Sequence, residues 1–137
     1  MLLTIYTDGG SSGNPGPAAS AFVLYKDTEV IFTHSEKIGI KTNNFAEYTA
    51  LMLALKKVSQ LLKEEEYKNT TEIKVFSDSE LMVRQVNGIY KIKNPEIKDF
   101  IIQLRLLEAE IKIPITYTHI LREKNSLADS LVRKELY

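Results

Sequence analysis

Apolar and polar positions follow two rhythms along this chain, and each predicts a different kind of element. Leu2-Leu3-Thr4-Ile5-Tyr6 is rich in β-formers and has apolar residues on both parities, the pattern of a central strand covered on both faces. Ala18 to Tyr25 and Val30 to Ile38 read as two further strands, joined by the polar turn Lys26-Asp27-Thr28-Glu29. The chain therefore opens as a three-stranded antiparallel meander. Lys41-Thr42-Asn43-Asn44 interrupts the apolar pattern and offers a capping residue, and from Ala46 to Leu62 the period becomes helical. Leu51, Ala54, Leu55, Val58 and Leu62 share one face of that helix, and Lys56, Gln60 and Lys63 the other. Tyr67 to Thr71 reads as a surface loop. Glu72 to Ser77 is a fourth strand, and Ser79 to Val86 a short helix. Pro95 suits the first position of a helix carrying Ile97, Phe100, Ile101, Leu104 and Leu107. Ile113 to Ile120, with Pro114 near its start, reads as an edge strand. Arg122-Glu123-Lys124 is a charged loop, and Asn125 is placed to cap a last helix.

A meander, then helix, strand and helix, predicts an α/β fold with a mixed sheet in which the fourth strand runs parallel to the first. The 137 residues fit one domain, residues 1–137. Against this pattern four carboxylates stand out. Asp8 and Asp78 each follow a β-rich run, so they are expected where neighbouring strands stop, at one edge of the sheet. Glu47 falls on the apolar face of the long helix. A Glu in a first turn answers the helix dipole equally well from the solvent side, so one pointing inward needs a partner, and a cation would serve. Asp129 lies one turn into the last helix, on the face of Val132 and Leu136. The stretch after Asp8, Gly9-Gly10-Ser11-Ser12-Gly13-Asn14-Pro15-Gly16-Pro17, excludes helix and lets the backbone approach a ligand closely.

Composition narrows the chemistry. There is no cysteine, which excludes disulfides, thiolate metal sites and cysteine nucleophiles and fits a reducing compartment. Neither a signal peptide nor a membrane span is expected, so the reading is cytoplasmic. Lys plus Arg and Asp plus Glu are both 18, so the protein lacks the positive excess common in nucleic-acid binders. Four carboxylates meeting at one rim would repel unless divalent cations neutralise them or some pKa values rise. Oxygen-only ligation favours Mg²⁺ or Mn²⁺. Two such ions suit in-line phosphoryl displacement, and their positive charge would attract a polyanion.

Five strings, in order, resemble the successive signatures of type 1 ribonuclease H. They are Asp8-Gly9-Gly10 with Asn14-Pro15-Gly16-Pro17, Thr42 through Leu51, Ser77-Asp78-Ser79, Tyr90 through Pro95, and Asn125-Ser126-Leu127-Ala128-Asp129. Together they span nearly the whole chain. The resemblance implies the ribonuclease H-like fold, with a five-stranded sheet whose strands 4 and 5 run parallel to strand 1. It implies hydrolysis of the RNA strand of RNA–DNA hybrids, with Asp8, Glu47, Asp78 and Asp129 as the catalytic, metal-binding carboxylates for two Mg²⁺ ions, and 5′-phosphate and 3′-hydroxyl ends. It further implies contacts from Asn14, Asn43 and Asn44 to 2′-hydroxyls of the RNA strand and from Thr42 and Asn94 to a DNA phosphate, with Gly9 and Gly10 also among the substrate-binding residues. An amide suits a 2′-hydroxyl, which both donates and accepts. Gln85 is a further candidate for the minor groove.

Two departures from the family's bacterial form bear on mechanism. Only Asn87 to Asn94 separates the two middle helices, so the basic, aromatic-rich extension is missing. The loop before the last helix lacks the Gly-His pair, which makes Arg122 the candidate for reaching the scissile phosphate or escorting product. His119 reads as a strand residue with an edge role, and His34 as a plain strand position. No obligate protein partner is evident, and a monomer is expected. The alternatives are a catalytically weak hybrid-binding module and a nuclease of the same fold acting on double-stranded RNA or DNA.

Overall fold

The computed structural model describes residues Met1–Tyr137. Its elements follow the order β1 (Leu2–Ser11), β2 (Gly16–Lys26), β3 (Glu29–Lys41), α1 (Asn43–Leu61), β4 (Glu72–Ser77), α2 (Glu80–Val86), α3 (Pro95–Ile111), β5 (Ile115–His119) and α4 (Ser126–Leu136), with single 3₁₀ turns at Glu65–Tyr67 and Arg122–Lys124. The five strands lie in the order β3-β2-β1-β4-β5. β1 and β2 pair antiparallel, as do β2 and β3, while β1–β4 and β4–β5 are parallel. The mixed sheet and the edge position of β5 are as the sequence predicts.

Strand parity divides the apolar residues between two faces. Leu3 and Ile5 of β1, Phe22 and Leu24 of β2, and Ile73 and Val75 of β4 point to the face covered by α1 and α3. There they join Tyr48, Leu51, Leu55, Val58, Ile97 and Leu104 in the main core. Ala19 and Ala21 point the other way and meet Val132 of α4 in a small second core. Tyr67 is not the surface residue expected. It is buried against the main core, and Thr70 donates its hydroxyl proton to the Tyr67 carbonyl at 2.7 Å.

Two boundaries and one cap differ from the sequence reading in ways that matter at the site. β1 does not stop at Asp8 but continues to Ser11, because β2 starts at Gly16 and pairs with it as far as Ser11↔Ala18. On the other side the pairing with β4 ends at Thr7↔Ser77. Asp8 is therefore the first β1 residue beyond the reach of β4, and Asp78 is the residue just past β4's end. The long helix starts at Asn43, capped by Thr42, whose Oγ1 accepts from Phe45 N–H at 3.1 Å. Glu47 thus lies past the first turn, where the helix dipole has little call on it. Finally, Asn125 precedes α4 but makes no capping hydrogen bond with its side chain. The expectation of an Asn125 cap is wrong, because the amide is turned inward to other partners.

Candidate active site

Carboxylate oxygens of Asp8, Glu47 and Asp78 all lie within 4.8 Å of one another. Asp8 and Glu47 are only 6% and 8% exposed. What brings Glu47 in is the missing side chain at Gly9. A Cβ built there would lie 2.3 Å from the Ala46 carbonyl carbon and 2.4 Å from the Glu47 nitrogen, so only glycine allows α1 to press this closely on β1. The Gly9 N–H in turn stabilises the anionic forms of both Asp8 and Glu47.

That one donor is outweighed. Burial, followed by repulsion from Asp78 and Asp129, pushes the Asp8 carboxyl up to about 8. Burial, then Asp8 and Asp78, drives Glu47 well above the usual carboxylate range, and Arg122 opposes this only weakly. Glu47 Oε1 is buried with no hydrogen-bond partner. An orphaned buried carboxylate oxygen facing two further carboxylates fits a cation in its chemistry, in keeping with a hard, all-oxygen donor set.

Asp129 borders the same cleft, a cavity of about 560 Å³ that also exposes Gly9, Gly10, Asn43, Arg122 and Arg133. It stands outside the tight trio, with Oδ1 3.5 Å from Arg122 and Oδ2 accepting from Arg133 Nε at 3.1 Å. Arg133 was not among the sequence candidates. The signal was there: it sits four positions after Asp129 on the same helical face.

The remaining candidates are placed unevenly. Asn43 Oδ1 accepts from Ser11 N–H at 2.8 Å and from the Ser11 hydroxyl at 3.0 Å, and the Asn43 N–H donates to Asn14 Oδ1 at 3.0 Å. This ties the tip of β1, the Asn14 loop and the start of α1 into one rim. Asn44 Oδ1 is buried without a partner. Asn14, Thr42, Asn44, Gln85 and Asn94 do not line the cleft. Asn94 caps α3, accepting from Glu96 and Ile97 N–H at 2.8 and 3.2 Å. Gln85 Oε1 accepts from the Tyr48 hydroxyl at 2.9 Å. His119 ends the edge strand β5 opposite Ser77 and is not among the cleft residues. His34 sits mid-strand in β3, 2.8 Å from Glu36.

Comparison with known proteins agrees with this architecture. The RNase H family model matches residues 2–137. A bifunctional protein of Mycobacterium tuberculosis is 35% identical over 133 residues, 96% of this chain but 34% of that protein. Ribonuclease HI of Halobacterium salinarum is 33% identical over 132 residues, 96% of this chain and 62% of that protein. The chain thus spans about a third of the length of the first relative and less than two thirds of the second. Among solved structures, LC11-RNase H1 in complex with an RNA/DNA hybrid superposes with a TM-score of 0.89 at 38% identity, covering 98% of this chain and 96% of that one. The RNase H1 structure from H. salinarum gives a TM-score of 0.87 at 31% identity, with 98% and 97% covered. With sheet order, carboxylate trio and a match across nearly its full length in agreement, the chain belongs to the RNase H family.

Proposed function

We propose that this chain is an endoribonuclease that hydrolyses the RNA strand of RNA–DNA hybrids, with two divalent cations held by Asp8, Glu47, Asp78 and Asp129. The observation that carries the reading is the carboxylate trio, two of its members buried, with oxygens within 4.8 Å of one another and one of them orphaned. The existence of a related structure bound to a hybrid supports the substrate class. The chemistry such ions supply when bound is water activation and stabilisation of the leaving oxygen in an in-line displacement, giving 5′-phosphate and 3′-hydroxyl ends. Mg²⁺ is the expected ion, with Mn²⁺ able to replace it.

The chain's own residues supply position and selectivity. The Asn43 carbonyl oxygen is already used by Ser11, and that of Asn14 by Asn43, so each offers its NH₂ to a 2′-hydroxyl oxygen on the RNA strand. Asn44 has an unpaired acceptor that serves the complementary role once the amide turns outward. Thr42 and Asn94 spend their acceptors on capping helices, which leaves donors free for a DNA-strand phosphate. Gly9 and Gly10 keep the cleft floor free of side chains. Gln85 has only its NH₂ left for a minor-groove acceptor. No helix is long and apolar enough to cross a membrane, and the reading is of a cytoplasmic enzyme acting as a monomer.

The deciding experiment is incubation with matched labelled RNA–DNA hybrid, double-stranded RNA, single-stranded RNA and DNA, in Mg²⁺ or chelator. Cleavage confined to the hybrid RNA and abolished by chelator is expected. Binding without cleavage would leave only a hybrid-binding module, and equal cutting of double-stranded RNA or of DNA would move the reading to another nuclease of this fold.

Two consequences are measurable. The link between α2 and α3, Asn87 to Asn94, carries no extension. Few phosphate contacts are therefore expected, and log affinity against log salt should be shallow, about −0.9 per contact by analogy with duplex DNA. A catalytically dead variant titrated with hybrid at several salt concentrations checks this. Arg122 reaches toward Asp129 with a side chain 71% exposed, free to swing to a phosphate. Arg122→Ala is expected to lower kcat far more than it changes KM, with partial recovery in Arg122→Lys, which keeps the charge without the planar fork. Wild-type kcat in Arg122→Ala would end that assignment, and a large defect confined to His119→Ala would transfer it.

A further inference from the structure

Asn125 is 1% exposed, and it touches every segment that carries a group of the cleft except α1. Its Nδ2 donates to the Thr7 carbonyl at 2.8 Å, one residue before Asp8, and lies 3.4 Å from Asp78 Oδ1. Its backbone carbonyl accepts from the Asp129 N–H at 3.0 Å, and its own N–H donates to the Arg122 carbonyl at 2.9 Å. The end of β1, the Asp78 side chain, the first bond of the Asp129 helix and the Arg122 turn thus meet at one buried residue.

The chemistry of the partners fixes which face of the amide does this. Thr7 O and the Asp78 carboxylate can only accept, so the amide must present its NH₂ to both, and Oδ1 is left without a partner. Burying an unpaired acceptor is unfavourable. A plain helix cap would have used that oxygen on the first turn of α4, and this residue does not. We propose that Asn125 is a positioning residue that holds the Asp78 carboxylate and the end of β1 in the arrangement cations require. This rests on the metal-dependent reading above. Nothing in the proposal has Asn125 touch substrate or ion.

The test is Mg²⁺ binding by calorimetry, at a temperature well below each variant's melting point. Asn125→Ala is expected to bind about tenfold more weakly, since removing a group that orients a ligand typically lowers metal affinity 10–100-fold. Thr70→Ala is the control. It also loses a buried hydrogen bond, at the Tyr67 turn, and should lower the melting temperature without moving Mg²⁺ affinity. Equal affinity in Asn125→Ala and wild type overturns the proposal, as does an equal loss in Thr70→Ala. Should Asn125→Ala fail to fold, nuclear magnetic resonance of the wild-type chain decides. The Asn125 side-chain NH₂ signals should move with added Mg²⁺ at the calorimetric midpoint, and signals that stay put overturn the proposal. Absence of any Mg²⁺ binding by the wild type overturns the metal-dependent reading itself, and this inference with it.

Discussion

Asp8→Asn is expected to reduce hybrid cleavage to background and to raise the melting temperature of the metal-free protein at pH 8. Loss of activity follows from removing one carboxylate of the trio. The gain in stability follows from linkage. In the folded chain Asp8 keeps its proton up to about 8, whereas the unfolded chain releases it near the ordinary value of 3.8. Between these values the folded state binds more protons, so metal-free stability is fully present at the acid end and falls as pH rises through the interval. The loss is on the order of a few kcal/mol at pH 8, or roughly 4 °C of melting temperature per kcal/mol for a chain of this size. Asn carries no charge to bury, so this decline should shrink in Asp8→Asn, and added Mg²⁺ should flatten it in the wild type. Glu47, displaced in the same direction, leaves some decline behind. Melting curves in chelator across pH, with and without Mg²⁺, check both statements. A melting temperature lower by several degrees in metal-free Asp8→Asn at pH 8 would reveal a structural role for Asp8 that the repulsive cluster does not explain.

Gly9→Ala should damage the fold and the site together. The added carbon would fall 2.3–2.4 Å from backbone atoms of Ala46 and Glu47, atoms that cannot rotate aside. Either α1 lifts from the sheet or β1 bends, a change expected to destabilise by about 3 kcal/mol. Because the collision is with the Ala46–Glu47 peptide, Glu47 moves with it, and Mg²⁺ affinity should fall in whatever protein still folds. Gly10→Ala is the comparison. Its methyl meets only Val132 Cγ1, at an ordinary 3.6 Å, and stability should stay within about 0.5 kcal/mol of wild type. Denaturant titration of the two variants checks the contrast, and similar losses at both positions would contradict it.

The residues that were legible in the sequence were those at odds with their surroundings. Glu47 on an apolar helical face, and Asp8 and Asp78 after β-rich runs, break local patterns, and the structure brings these three together. The strand order could also be read, since a meander followed by a helical crossover leaves few topologies. What could not be read was set by partners remote in sequence. β1 runs past Asp8 because β2 starts early enough to pair with it, which no pattern within β1 announces. Asn125 looks like a cap, since Asn before a helix usually is one. Only the approach of Thr7 and Asp78 from distant segments shows the amide to be occupied elsewhere. Arg133 is a different case: its i,i+4 spacing from Asp129 is visible in the sequence, but a charge near the end of an amphipathic helix ordinarily reads as solvated.

The two faces of the sheet are unequally furnished, and this bears on how the site comes apart. Glu47 is carried by a helix locked into a core of 18 buried residues, whereas Asp129 rides on α4, which rests on Ala19 and Ala21 through Val132, with Leu131 and Leu136 only partly buried beside it. Small side chains let α4 come close to the sheet but bury little apolar area, so the helix is attached by far less than its counterpart across the sheet. Local opening is governed by such differences. In the metal-free protein α4 is therefore expected to open before α1 does: one wall of the cleft departs with Asp129, while Glu47 and the main core stay in place.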